Sequence, residues 1–162
     1  MRVSIHAVGR MKQGPERELV GRYLERAQAT GRTVALTGFD VLEPMESRAG
    51  SAAARKTEEA RALRGGLPDG AILIALDEHG KATASEALAT TVARWRDAGK
   101  PALAFVIGGA DGLDPQLLEA ADLTLSFSPL TWPHQLVRIM LAEQLYRVTT
   151  ILSGHPYHRG NS

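Results

Sequence analysis

The chain has 162 residues, 44% of them hydrophobic and 23% charged, which is enough for one hydrophobic core but short for two. The longest apolar runs, Ala71–Leu76 and Ala102–Ile107, are far too short to span a bilayer, and no apolar stretch of secretory-leader length follows residues 1–8. Cysteine is absent and the formal net charge is only +1, which excludes disulfides, thiolate zinc sites, iron–sulfur ligation and cysteine nucleophiles, and accords with a cytoplasmic location.

Val3–Val8 alternates like a strand, and Gly9 ends it. The Gly14–Pro15 pair marks a turn and a helix start, and Leu19, Tyr23, Leu24 and Ala27 then share one face of a helix over 15–28. Val34–Thr37 reads as a short second strand, and 38–50, with Gly38, Pro44, Gly50 and scattered charge, as a mobile loop. An Ala-, Arg- and Glu-rich helix is expected over 51–64, closed by Gly65–Gly66. Ala71–Leu76 is an unbroken apolar run, as expected for a parallel strand covered on both faces. Thr83 and Glu86 have capping-box spacing ahead of Leu88, Val92 and Trp95, with Gly99 closing that helix. Ala102–Ile107 is another buried strand, Asp114–Pro115 opens a short helix, and Thr124–Phe127 is a last strand. A long amphipathic helix follows Pro133 and runs to about Leu152. This alternation of strands and helices predicts an α/β fold: one domain with an open, mostly parallel sheet of about five strands.

The charge is unevenly placed. Residues 1–66 carry 12 Lys/Arg against 8 Asp/Glu, residues 67–130 carry 4 against 9, and residues 131–162 carry 3 against 1. The first segment, with Arg48, Arg55, Lys56, Arg61 and Arg64, reads either as solvated helix faces or as a phosphate-binding surface.

Ligands of open α/β sheets bind beyond the C-terminal strand ends, and three such ends stand out. Leu76-Asp77-Glu78 offers carboxylates for ribose hydroxyls or an amine, although a solvated acidic turn reads the same way. Gly108-Gly109-Ala110-Asp111-Gly112 allows a ligand to approach the backbone closely, although it is neither a dinucleotide fingerprint nor a phosphate loop. In Ser126–Pro133, two prolines stiffen a turn whose Ser128, Leu130 and Thr131 could face a flat ligand, while Thr131 is equally placed to cap the next helix. His6 and His79 read as incidental. The tail Gly154-His-Pro-Tyr-His-Arg159 supplies an aromatic ring and cations suited to a nucleotide, but no complete ligand set for a metal, so none is expected.

Four segments carry a resemblance: Phe105–Leu113, Leu125–His134, Leu136–Arg147 and His155–Arg159. Together they resemble the large-subunit ribosomal RNA methyltransferase H family of the SPOUT superfamily. Val3–Gly9 and Arg22–Arg26 resemble that family's opening strand and first helix, whereas 30–66 match loosely. The loop Gly-Gly-Ala-Asp-Gly stands where Gly-Gly-Pro-Glu-Gly is common, leaving the acid, Asp111, one methylene shorter.

The resemblance implies a single SPOUT domain over 1–162, with a C-terminal trefoil knot and the cofactor region at about 70–155. It also implies a homodimer that methylates N3 of a pseudouridine in helix 69 of 23S rRNA, in the large subunit or the assembled ribosome, using S-adenosylmethionine. Carried onto this chain, the cofactor contacts are Leu76, Gly108, Gly109, Ser128, Pro129, Leu130, Thr131, Trp132 and Pro133. The reactive methyl is expected to face an opening lined by His134, Arg138 and the tail. There Tyr157 would hold the base, His158 or water would take the proton, and Arg159 would steady charge on the carbonyl oxygens. Two other readings remain open: a SPOUT-type enzyme for another RNA base, and a non-catalytic nucleotide-binding ribosomal factor. No Gly-x-Ser-x-Gly elbow is present to favour a hydrolase.

Overall fold

The structure is a computed structural model and describes residues 1–159; the last three residues of the expected domain, 160–162, lie outside the described residues. Five strands, β1 (Arg2–Ala7), β2 (Thr37–Leu42), β3 (Ile72–Ala82), β4 (Ala102–Ile107) and β5 (Leu123–Ser126), form one sheet. Its order is β2-β1-β4-β3-β5 and every pairing is parallel. The connecting helices are α1 (Pro15–Gly31), α2 (Ala52–Gly65), α3 (Ser85–Asp97), α4 (Pro115–Glu119) and α5 (His134–Ser153), with a 3-10 turn at Arg32–Val34.

The sheet is covered on both faces, which is why β4 reads as six consecutive buried residues. Ile5, Ile74, Leu103, Phe105 and Ile107 pack with residues of α1, α3 and α5. Leu73, Ala75 and Val106 point the other way, into a smaller cluster with Ala60 and Leu63 of α2 and Leu117 of α4. The period of two along each strand thus divides the core between two helical layers.

Local chemistry sets most boundaries. Pro15 occupies the first turn of α1, where its missing N–H costs nothing. Ser51 Oγ accepts from Ala54 N at 3.1 Å to open α2, and Asp114 Oδ1 accepts from Gln116 N at 2.8 Å to open α4. The Thr83–Glu86 capping box does not form. Ala84 is the cap residue of α3, the Thr83 hydroxyl donates to Lys81 O, and the Glu86 carboxylate is engaged by His158. A local backbone carbonyl takes the Thr83 hydroxyl and a tertiary partner takes the Glu86 carboxylate.

The second strand is displaced from its expected place. Val34 belongs to the 3-10 turn and Ala35 turns the chain with φ 57°, so pairing with β1 begins only at Thr37. Residues 38–50 are accordingly no free loop. Their first part is β2, an edge strand with a register shift and mostly exposed side chains, which hides its period. The rest is tied down: Glu43 accepts from Met11 N at 2.9 Å and from Arg138 Nη1 at 2.7 Å, and Pro44 O accepts from Gly9 N at 2.8 Å.

β3 runs beyond Leu76. Its ladder with β5 breaks there and resumes at Lys81 and Ala82, so the 77–82 segment passes directly against β5. At Gly80 a side-chain carbon would lie 2.8 Å from the backbone of Thr124 and Leu125, so only glycine fits the crossing. This close passage is consistent with the knot that the resemblance implies.

Candidate active site

Because all strands are parallel, β4 and β5 deliver their C-terminal ends to one edge of the sheet, where β3 reaches the break in its ladder with β5 after Leu76. The three turns singled out in the sequence meet there around a cleft of about 490 Å³. Leu76, Ile107 and Leu125 form an apolar floor. The loop at 108–112 makes one wall, and Ser128, Leu130, Thr131 and Trp132 make the opposite one. Of the nine residues expected at a cofactor, Pro129 and Pro133 frame the second wall without lining the cleft, and the other seven line it.

The glycine loop is compact. Gly112 N donates to Gly109 O at 3.0 Å, and a side-chain carbon on Gly108 would lie 2.6 Å from the Gly112 carbonyl carbon. Gly108 is therefore required by backbone meeting backbone, and the glycines leave peptide groups in the cleft wall. On the opposite wall, Leu130 N donates to Ser128 Oγ at 3.0 Å, and the Ser126 hydroxyl contacts Glu78 O and Ser128 O, both at 3.1 Å. Thr131 caps no helix, since Pro133 precedes α5 without a side-chain cap; the Thr131 hydroxyl instead donates to Glu78 Oε2 at 3.3 Å.

Carboxylates gather at the lip. Asp77 Oδ1 accepts from His79 N at 2.9 Å and lies 3.2 Å from His79 Nδ1. His79, which looked incidental in the sequence, therefore orders this acidic turn and lines the cleft. Lys56, Phe127, His134 and Val137 also line it. In the sequence Lys56 read only as a member of the basic cluster and Phe127 only as the end of the last strand, so neither was assigned to the cleft.

Arg138 is not at the opening. It is 5% exposed, and its Nη2 donates to Val8 O and Gly9 O at 2.8 and 2.5 Å while Nη1 pairs with Glu43. Burial pulls its pKa below the usual guanidinium value, with Glu43 opposing the shift. An amphipathic pattern places an arginine on a helix face but does not reveal a carboxylate waiting 95 positions away. His134 does reach the cleft.

Within one chain the tail folds back along α5, and none of Tyr157, His158 and Arg159 lines the cleft. Tyr157 packs at a tilt against Tyr146 with ring centroids 4.5 Å apart, lies under the Arg147 guanidinium, and donates from its hydroxyl to Glu143 Oε1 at 3.0 Å. Desolvation, reinforced by Glu143, pushes the phenol pKa up to about 12, so Tyr157 stays protonated at neutral pH. His158 lies between Glu86, 2.9 Å from Nε2, and Arg147, 3.3 Å from Nδ1. Arginine can only donate, so Nδ1 accepts and Nε2–H donates to Glu86. A backbone hydrogen bond and the His158 contact together hold the Glu86 carboxyl below its usual range.

The family model described as "Predicted SPOUT methyltransferase" matches residues 1–158. Ribosomal RNA large subunit methyltransferase H of Rhizobium leguminosarum bv. trifolii is 57% identical over 159 residues, covering 98% of this chain and 99% of that protein. The protein of the same name from Rhodopseudomonas palustris is 55% identical over the same shares. Among solved structures, the SpoU methyltransferase AviRb from Streptomyces viridochromogenes, in complex with AdoMet, is 17% identical with a TM-score of 0.40, over 91% of this chain and 59% of that one. With residues 1–158 matched by the family model and 98% of the chain by relatives of this identity, the chain belongs to the SPOUT methyltransferases, in the ribosomal RNA large subunit methyltransferase H family.

Proposed function

We propose that this protein methylates large-subunit ribosomal RNA from S-adenosylmethionine, that its target is N3 of a pseudouridine in helix 69 of 23S rRNA, and that it works in the cytoplasm as a homodimer. The carrying observation is the convergence of the Gly108–Gly112 loop and the Ser128–Trp132 turn on one cleft beyond the parallel strands.

The cleft suits the cosubstrate. Peptide groups at Gly108 and Gly109 offer donors and acceptors to an adenine edge, while Leu76 and Leu130 flank a flat ring. Asp77 and Glu78 supply negative charge for a cationic amino-acid end. Ser128 to Pro133 close the other side. When bound, the cosubstrate supplies an electrophilic methyl group on a sulfonium.

This chain's contribution is chiefly orientation. As N3 bonds to the methyl carbon and the methyl–sulfur bond breaks, the N3 proton must leave. Either His158 of the tail or a water molecule takes it. In the folded-back tail both ring nitrogens of His158 are engaged, so proton transfer to it requires the tail to leave Glu86 and Arg147. Tyr157, protonated, serves as a hydrogen-bond donor and stacking ring, and Arg159 balances charge on the pseudouridine carbonyls. Because the tail does not reach the cleft of its own chain, a second subunit is the natural source of these groups. Leu130, Trp132 and Leu136 are 65%, 38% and 40% exposed around the start of α5, an apolar surface suited to a self-complementary contact. Exposed Arg48, Arg61 and Arg64 supply phosphate contacts.

The test is methyl transfer from radiolabelled S-adenosylmethionine to ribosomes of cells lacking this protein, prepared with and without the target pseudouridine, followed by nucleotide mapping. Incorporation at N3 of that nucleotide is expected only where the pseudouridine is present; a different nucleotide overturns the assignment. Deleting residues 155–162 is expected to abolish transfer while S-adenosylmethionine affinity stays within about twofold. Equal loss of both overturns the division between cleft and tail.

A further inference from the structure

The cofactor loop does not hold itself. Its acid, Asp111, lines the cleft with its carboxylate taken up by Arg55 of α2: Arg55 Nε donates to Asp111 Oδ2 at 2.6 Å and Nη2 to Oδ1 at 3.1 Å, a two-pronged guanidinium–carboxylate pair. Arg55 Nη1 donates in turn to Ala49 O at 3.0 Å, so one side chain joins the loop before α2, the helix and the cofactor loop. Two positions earlier in the loop, Gly109 rests on Glu59 of the same helix. Glu59 is 5% exposed, accepts from Ser47 N at 3.0 Å through Oε1, and presses Oε2 against the glycine, where a side-chain carbon would lie 2.7 Å away. Just beyond the loop, the Thr57 hydroxyl donates to Asp114 Oδ2 at 3.2 Å. Three side chains of α2, spaced two apart, therefore grip the stretch from Gly109 to Asp114.

We propose that Arg55 is a positioning residue for the adenosyl cosubstrate: through its paired hydrogen bonds to Asp111 it holds the 108–112 peptide groups in the shape that binds. This rests on the reading of the cleft given above. Both partners are partly buried, with side chains 31% and 25% exposed, so the pair is not lost to solvent competition. Each group also favours the other's charged form. The Asp111 hydrogen bond raises the Arg55 pKa, and the Arg55 hydrogen bond lowers that of Asp111, so the pair stays ionised across the neutral range. The rival role for Asp111 is direct contact with the ligand, with Arg55 a bystander.

The two roles differ in a double-mutant cycle read by calorimetry with S-adenosylmethionine and with its demethylated product. Arg55→Ala and Asp111→Asn are each expected to raise Kd about tenfold, and the double variant to be no weaker than the worse single one. Arg55→Lys, which keeps the charge but loses the fork, is expected to fall between. At saturating cosubstrate, kcat on ribosomes is expected to stay within about twofold while KM for S-adenosylmethionine rises with Kd. Asp111→Asn is isosteric and retains the fold should Arg55→Ala not. A wild-type Kd in Arg55→Ala and Arg55→Lys, or additive losses in the double variant, overturns the proposal while leaving the cleft assignment standing. No binding by the wild-type dimer overturns both.

Discussion

His6 illustrates what burial does to a single side chain. It sits in β1 at 2% exposure, its Nε2 2.9 Å from Ser4 Oγ, and desolvation lowers its pKa from 6.5. The unfolded chain therefore takes up this proton more readily than the folded one. The stability that neutral His6 supports is present above about pH 6.5 and is lost as pH falls through the lower folded value. Melting temperatures are expected to drop between about pH 7 and 5 and to drop less in His6→Gln; parallel pH profiles for the two proteins would show that His6 is not the titrating group. His6 was legible only as a strand residue. Its burial depends on α2, whose end brings Gly66 close enough for a side-chain carbon there to lie 3.2 Å from His6 Nδ1.

Among the elements, those that answer to local rules were readable and those that answer to neighbours were not. β4 and the short helix opened by Asp114–Pro115 carry their own signals, an apolar run of strand length and a cap followed by proline. β2 carries none, because an edge strand pairs on one side only and leaves most of its side chains in water. The extension of β3 is a similar case, since Asp-Glu-His-Gly-Lys looks like a surface turn. Gly80 decides it. Adding one methyl group in Gly80→Ala pushes on backbone that cannot swing aside, so chemical denaturation is expected to show a loss of at least about 3 kcal/mol. A loss below about 1 kcal/mol would mean that the 77–82 crossing is looser than the geometry implies.

At the scale of the molecule, the cleft and the tail occupy different places on one chain, and the proposed dimer joins them. Leu136 is 40% exposed, one turn into α5, and does not line the cleft. Leu136→Asp places a charge on the apolar surface assigned to subunit contact. It is expected to shift sedimentation toward monomer and to cut methyl transfer at least about tenfold, with circular dichroism unchanged. A variant that remains dimeric with full activity would move the interface elsewhere. The asymmetric charge along the chain also resolves at this scale. Arg55 is consumed by Asp111 and Lys56 turns toward the cleft, so of the basic cluster only Arg48, Arg61 and Arg64 remain exposed for phosphate.

The amino-acid order alone determined the alternation of strands and helices, the parallel sheet and the three turns beyond its strands, since each is written in hydrophobic period, glycine and proline. Strand polarity then obliged β3, β4 and β5 to present those turns at a common edge. Only the tertiary structure decided which charges serve chemistry and which serve architecture. Arg138 met Glu43, Arg55 met Asp111, and His158 met Glu86 across 95, 56 and 72 positions. A charged side chain looks the same in sequence whether water or a distant partner will receive it; the packing of the helices onto the sheet makes that choice.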